Sequence, residues 1–355
     1  KMKVYVGPAY SLSGRVTAPG SKNYTSRYIW ASALAKGESL LLSPAKNEDA
    51  ITLLACCREL GAGFTHQTEE RLRITGFGEN YRRVKNLDPG NGGLILRLLL
   101  AFGLFLPEVT YQTSYPESLG KRPHGDLLEA LRELGAEIED NNGCLPITIR
   151  GGKPVLRREV EVSGLVSSQF ATALMFVAPL VGGLTISIKD GLSSRPPLLT
   201  TVKVMRECGI PVGADWERLV FQAPAGRYRA GIFQVPGDYP AASALLAAAS
   251  VVRSRVTVTN LFPHDEQGEK EMISYLQSMG ADLSFNEEAK EVTISGGNTM
   301  QARDFNGAAA IDAILSMATV AAVAEGTTNF YEVGALRWKE SDRISDFARE
   351  LRKVG

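Results

Sequence analysis

The sequence predicts an α/β protein of two domains built from a repeated strand-helix-strand-helix unit, and three observations point to it. Five helix ends look alike, "LLACCRELGAGF", "LLEALRELGAEI", "VKVMRECGIPVG", "ISYLQSMGADLS" and "FARELRKVG". Their glycines, Gly61, Gly135, Gly209, Gly280 and Gly355, recur at steps of 74, 74, 71 and 75 residues. A second helix family, half a period out of phase, is apolar on nearly every face. Two Pro-Gly junctions, "TAPGS" and "QVPGD", set Pro19 and Pro236 217 residues apart, close to three periods. A fixed period of this length means a supersecondary unit that holds more than one helix.

Each recurring glycine stands just past a helix end, where a left-handed C-cap is required, and a strand such as "AEIED" or "ADLSF" follows it. The apolar family reads "SKNYTSRYIWASALAKG", "NGGLILRLLLAFG", "SSQFATALMFVAPLVGG", "YPAASALLAAASVV" and "IDAILSMATVAAVAEG". A helix without a polar face is covered on both sides. The front ends of these helices, by contrast, hold Gly, Ser, Asn, Asp and Lys, so their amide-bearing tips are expected to share one polar place. Ordinary N-caps account for the Ser and Asp of those turns but not for the recurring Lys and Arg.

The Pro-Gly junctions then divide the chain. Residues 20–235 are expected to form a three-repeat domain, and 1–19 with 236–355 a second one, the two crossovers making a hinge and the helix tips facing the cleft between domains. A second set of three units needs roughly 80 residues beyond this chain, so the second domain is expected to be incomplete at its C-terminus.

Composition limits the partners. The 355 residues, 44% apolar, suffice for large cores, and Lys+Arg balances Asp+Glu at 39 each. No global field favours nucleic acid or a membrane surface, so any anion affinity is built locally. Cys56, Cys57, Cys144 and Cys208 have no metal-ligand spacing, and a reduced, cytoplasmic setting with no metal and no cofactor is expected. "KMKVYVGPAYSLSG" lacks the apolar core of a signal peptide. The longest apolar run, "LILRLLLAFGLFLP", carries Arg97 and is too short to span a bilayer.

Five constellations carry chemistry. In "APGSKNYTSR", Lys22 and Arg27 stand at the positive end of a helix, where a cation is unfavourable unless an anion joins it. Two solvated surface cations are the equal alternative. "DPGNGGLILR" brings Gly93 to a helix start with Arg97 one turn in, which lets a ligand touch backbone N–H groups, and "SLGKRPHGD" sets Arg122 before a proline-started helix. "VSSQF" offers Ser167, Ser168 and Gln169, groups suited to sugar-like hydroxyls and phosphate oxygens. "LRWKESDRISDFARELRKVG" crowds Lys339, Glu340, Asp342 and Arg343 together, and i,i+4 pairing on a solvated face is the plain explanation. Asp312, heading "IDAILSMATVAAVAEG", is harder to account for that way: a carboxylate facing cations stays ionised and accepts a proton from a hydroxyl.

In order and spacing, "PGSKNYTSR", "GNGGLILR", "KRPHGDLLEALRELGA", "VSSQFATAL", "VPGDYPAASALLAAA" and "LRWKESDRISDFARELRKVG" resemble the motifs of the 5-enolpyruvylshikimate-3-phosphate synthases, over essentially the whole chain. The resemblance implies the enolpyruvyl transferase fold, an inside-out α/β barrel in two three-unit domains. It also implies transfer of the enolpyruvyl group of phosphoenolpyruvate to the 5-hydroxyl of shikimate 3-phosphate, through a tetrahedral adduct and without metal, by a cytoplasmic monomer. Lys22, Gly93, Arg122, Gln169 and Arg343 would hold phosphoenolpyruvate. Lys22, Asn23, Arg27, Ser167, Ser168, Gln169, Ser194, Asp312 and Lys339 would meet the other substrate. Asp312 would be the general base, and Glu340 with Lys22 would move protons at the enolpyruvyl carbon.

Four places depart from the family pattern. Asn23 replaces a serine, Leu94 a threonine, Pro240-Ala242 a pair of serines, and Ala335 an asparagine. The family's tail carries a "DHR"-type motif and a later lysine that bind phosphoenolpyruvate, so this chain alone is expected to be impaired. Two other readings stay open: a UDP-N-acetylglucosamine enolpyruvyl transferase, which shares the fold, and a non-catalytic descendant that binds anions. The former uses a cysteine in the loop before its Arg-Pro helix, whereas "YQTSYPESLGKRP" has none. Fosfomycin, which alkylates that thiol, is therefore expected to leave this loop unlabelled by mass spectrometry; an adduct there reverses the choice.

Overall fold

The computed structural model describes residues 5, 7, 8, 10–68, 70–153, 155, 157–339 and 341–355. Its contacts separate two compact units, Gly20–Val235 and the pair of segments Lys1–Pro19 and Pro236–Gly355.

The unit Gly20–Val235 repeats one arrangement three times. Helices α1 (Lys22–Leu34), α2 (Glu48–Glu59), α3 (Gly93–Phe102), α4 (Gly125–Glu133), α5 (Gln169–Val177) and α6 (Pro196–Glu207) alternate between two kinds. The odd-numbered helices are the apolar family: every residue of α3 is buried, as is all of α1 after Asn23. The even-numbered ones are amphipathic and end at the positive-φ glycines Gly61, Gly135 and Gly209.

Each repeat carries a four-stranded sheet. One has the order Ile232–Gln234, Lys36–Leu42, Arg71–Phe77, Gly63–Thr68. The next runs Asn86–Leu87, Val109–Tyr111, Cys144–Arg150, Glu137–Asn141. The last runs Glu159–Gly164, Gly183–Leu192, Val220–Pro224, Gly213–Asp215. In all three the first pair is parallel and the other two are antiparallel. A parallel pair needs a crossover, and the apolar helices α3 and α5 supply it. The terminal strands of the unit are thus a hairpin added after the amphipathic helix. Ile232–Gln234 returns from the far end to pair with Leu40–Leu42, tying the unit's two ends together.

The unit made from Lys1–Pro19 and Pro236–Gly355 contains the same sheet once, in the order Leu12–Thr17, Ser254–Thr259, Glu291–Gly296, Asp282–Asn286, again parallel and then antiparallel. Helices α7 (Tyr239–Val251) and α8 (Glu271–Ser278) belong to it. A further repeat adds the parallel pair Phe305–Asn306 and Phe330–Tyr331, with α9 (Ile314–Ala321) between them and α10 (Arg343–Leu351) after. Tyr239, Leu246, Met272, Leu276, Ile294 and Met317 form its core.

The two Pro-Gly junctions make the same tight crossing in both units. A Cβ on Gly20 would stand 2.0 Å from the Ser43 carbonyl oxygen, and one on Gly237 2.2 Å from that of Asn260. Ser43 and Asn260 both have positive φ, 55° and 66°. Backbone faces backbone there, so no side chain can yield. Gly237→Ala is expected to destabilise its unit by about 1–3 kcal/mol or more in urea unfolding. Gly125→Ala, at a helix start with nothing within 4 Å, is expected to be neutral or slightly stabilising; equal effects at the two sites contradict the crossing as the cause.

Candidate active site

In the unit Gly20–Val235, a buried polar chain ties three helix starts. Arg27 is 0% exposed; its Nε donates to Thr201 Oγ1 at 2.9 Å, and its terminal nitrogens donate to the Asn23 and Pro197 carbonyls at 3.0 Å. Thr201 in turn lies 3.0 Å from the Thr172 hydroxyl, so α1, α5 and α6 share one network. Burial pushes Arg27 down to about 10, which leaves it cationic at neutral pH. Three of the five guanidinium donors are thereby used to hold helices together. Lys22, on the first turn of α1, sits 2.7 Å from Asp49 on the first turn of α2. A part-exposed pair of this kind contributes about 1 kcal/mol or less. Asn23, half-buried, serves Arg27 through its carbonyl.

A second group converges on Gly93, the first residue of α3. A Cβ placed there would lie 2.8 Å from Arg122 Nη1, 3.3 Å from Arg97 Nη1 and 3.8 Å from Gln169 Oε1. Two guanidiniums and the amide that opens α5 therefore meet over one glycine backbone. Arg97 is only 8% exposed, donates to Gln169 Oε1 and lies 5.1 Å from the Phe170 ring centroid. A guanidinium can only donate, so this bond engages the oxygen of Gln169 and leaves its amide N–H groups for another acceptor. Burial, and then the Arg122 charge, push Arg97 down to about 9. Two cations this close, at the amide ends of two helices, make surroundings that favour an anion.

Ser167 and Ser168 adjoin this group: the Ser167 hydroxyl accepts from the Gln169 N–H at 3.3 Å, and buried Ser168 occupies the N-cap of α5. Ser194 is half-buried in the loop ahead of α6, two residues before Pro196. His124 follows Arg122 and Pro123 and is 0% exposed, with both ring nitrogens lacking a hydrogen-bond partner among the described residues. Burial first, then the charges of Arg97 and Arg122, push it down to about 3, so the ring is neutral.

In the unit made from Lys1–Pro19 and Pro236–Gly355, Asp312 lies on the 3-10 turn Ile311–Ala313 that leads into α9. Its Oδ1 is 2.8 Å from Arg343 Nη1 and 3.3 Å from Lys339 Nζ. Burial, the largest influence, favours the protonated form, but Lys339 and Arg343 together outweigh it and hold the carboxyl below the usual range. Glu340 lies outside the described residues. Asp342 instead caps α10, accepting from the Ser345 N–H at 3.1 Å and from Arg337 Nη1 at 2.9 Å. Behind Asp312 stands Glu269, whose Oε1 accepts the Asp312 backbone N–H at 3.3 Å. Asp238, at the start of α7, caps that helix by accepting from the Ala241 N–H at 2.9 Å.

The structure thus brings together Gly93, Arg122 and Gln169, with Ser167 and Ser168 beside them, and separately Asp312, Lys339 and Arg343. Arg97, His124, Asp49 and Glu269 are not among the sequence-predicted site residues. Arg97 was visible as the lone charge in an apolar helix, whereas Asp49 reads as an ordinary first-turn acid and nothing marks His124 or Glu269.

The neutral state of His124 has a measurable consequence. Below about pH 6.5 the unfolded chain protonates this imidazole while the folded chain resists protonation until about pH 3, so folding weakens as pH falls between those values. His124→Leu is expected to flatten that acid limb, by up to about 2–3 kcal/mol at about pH 4.5, in urea midpoints compared with neutral pH. An unchanged acid limb contradicts the burial of the ring.

Residues 6–355 match the family described as EPSP synthase (3-phosphoshikimate 1-carboxyvinyltransferase). The chain is 42% identical over 354 residues to the 3-phosphoshikimate 1-carboxyvinyltransferase of Deinococcus radiodurans, covering 99% of this chain and 80% of that protein. It is 36% identical to the protein of the same name from Methanosarcina acetivorans, covering 97% and 80%. Among solved structures, EPSP synthase from Acinetobacter baumannii superposes with a TM-score of 0.80 at 24% identity, over 96% of this chain and 78% of that one. The enolpyruvyl transferase NikO from Streptomyces tendae does so with 0.70 at 17%, over 90% and 76%. The fold is therefore that of the enolpyruvyl transferases. With the guanidiniums of Arg97 and Arg122 and an amide gathered over Gly93, and a carboxylate held ionised by Lys339 and Arg343, the chain belongs to the EPSP synthase family.

Proposed function

We propose that this chain transfers the enolpyruvyl group of phosphoenolpyruvate to the 5-hydroxyl of shikimate 3-phosphate, releasing phosphate. The observation that carries the reading is the meeting of Arg97, Arg122 and Gln169 over the backbone of Gly93, a site for a small, highly charged anion. Arg122, the Gly93 backbone, Gln169 and Lys22 hold phosphoenolpyruvate, with Arg343 as a further cation. Arg27, Asn23, Ser167, Ser168, Ser194 and Lys339 serve shikimate 3-phosphate. Charge-assisted hydrogen bonds are individually worth about 1.5–3 kcal/mol, so several act together to offset the repulsion between two polyanionic substrates.

Asp312 is ionised when the hydroxyl arrives and takes its proton as the new C–O bond forms at C2 of phosphoenolpyruvate. A proton reaches C3 at the same stage, through Glu340 with Lys22, giving a tetrahedral adduct. Loss of that C3 proton and departure of phosphate from C2 complete the exchange. Two free metabolites suit a chain with balanced charge, and we place it in the cytoplasm as a monomer.

The test is phosphate release that requires both substrates, with calorimetry of shikimate 3-phosphate binding beside it. Asp312→Asn is expected to lower kcat by about 10²–10⁴-fold while binding persists. Gly93→Ala puts a methyl group 2.8 Å from Arg122 Nη1 and is expected to raise KM for phosphoenolpyruvate with the fold intact. Turnover with UDP-N-acetylglucosamine in place of shikimate 3-phosphate, or no binding of shikimate 3-phosphate, overturns the reading.

A further inference from the structure

Three carboxyl groups face one another across the starts of α7 and α9: Asp238, Glu269 and Asp312. Each is answered differently. Asp238 caps α7, and Asp312 pairs with Lys339 and Arg343. Glu269 is 6% exposed and has no cation partner among the described residues. Its Oε1 accepts the Asp312 N–H, one of the donors a helix start leaves unsatisfied.

The segment that carries Glu269 is clipped to the start of α7. Gln267 Oε1 accepts the Tyr239 N–H at 3.1 Å, and its Nε2 donates to the Gly237 carbonyl at 2.9 Å. The Gln267 N–H donates to Asp265 Oδ1 at 2.6 Å, and Lys270 Nζ donates to the Asp265 carbonyl. Glu269 therefore reaches Asp312 from a fixed support.

We propose that Glu269 is a positioning residue for Asp312: from its clipped segment it accepts the Asp312 N–H and so holds the turn that sets this carboxylate beside Lys339 and Arg343. The role of Asp312 as the base is that of the proposed function, on which this inference rests. Burial, then Asp312 and Asp238, raise Glu269 to about 7, so it titrates within the working range. The charged groups around it are Asp238 of α7, Asp312 ahead of α9 with its partners Lys339 and Arg343, and Asp265, Lys270 and Glu271 on its own segment. Above its titration a second negative charge appears behind Asp312 and repels an anionic substrate. If ligand binding raises that titration by one unit, affinity falls about tenfold as pH passes through it.

The experiment compares the full chain with Glu269→Gln and Glu269→Ala, by calorimetry with shikimate 3-phosphate and by kcat and KM, from about pH 6 to about pH 8.5. The Gln variant keeps an acceptor for the Asp312 N–H and cannot ionise. Its binding is expected to strengthen about tenfold relative to wild type toward the alkaline end, with the ligand's own ionisation cancelling in the comparison. It is also expected to keep kcat within about threefold of wild type at about pH 6, whereas the Ala variant loses about tenfold or more at every pH. A Gln variant whose pH curve superposes on wild type, or which loses as much kcat as Ala, overturns the proposal. If the Ala variant does not fold, the Gln and wild-type curves decide alone. PH-linked binding without turnover sinks the assignment of Asp312 as base and leaves the pairing intact; turnover with superposable binding curves does the reverse.

Discussion

A helix that is apolar all round can meet water or a ligand only at its ends, and this constraint organises the molecule. Every residue of α3 is buried, Arg97 included. Keeping a guanidinium in such a place requires compensation, and Gln169 and the Phe170 ring supply part of it. Arg122 lies beside Arg97, where the amide ends of α3 and α5 favour negative charge. Burial thus fixes the Arg97 guanidinium at the point where those amide ends converge.

Charge is distributed with a consistent logic. Arg27 gives three of its five donors to neutral oxygens of Thr201, Asn23 and Pro197, tying helices together. Lys22, by contrast, meets the carboxylate of Asp49 at a part-exposed contact. Among the acids, Asp342 and Asp238 cap helices, Asp312 is kept ionised by two cations, and burial pushes Glu269 up to about 7. Two carboxyl groups with environments that push their protonation apart are the usual mark of acid-base chemistry.

The repeat was legible because it is written in local terms. The cap glycines at Gly61, Gly135, Gly209 and Gly280 all have φ between 88° and 111°, a requirement of helix termination that no neighbour can lift. Gly20 and Gly237 mark two copies of one backbone crossing, and proline before each made the copies visible. The motif order was legible too, and family membership over residues 6–355 agrees with it. Two of the departures have plain surroundings: Asn23 works through its backbone carbonyl, and Leu94 is packed into the core.

What the amino-acid sequence determined by itself was the period, from glycines recurring every 71–75 residues, and the two kinds of helix, their caps and the polar residues at their tips, from spacings of a few residues. The tertiary structure alone decided which of those residues meet. Arg97 reaches Gln169 across 72 positions and Asp312 reaches Glu269 across 43, separations at which spacing carries no information. Whether an acid caps a helix, pairs with lysine or stays protonated depends on the low-dielectric surroundings that distant segments build around it. His124 and Glu269 are unremarked in a string of letters and acquire their states only inside the folded chain.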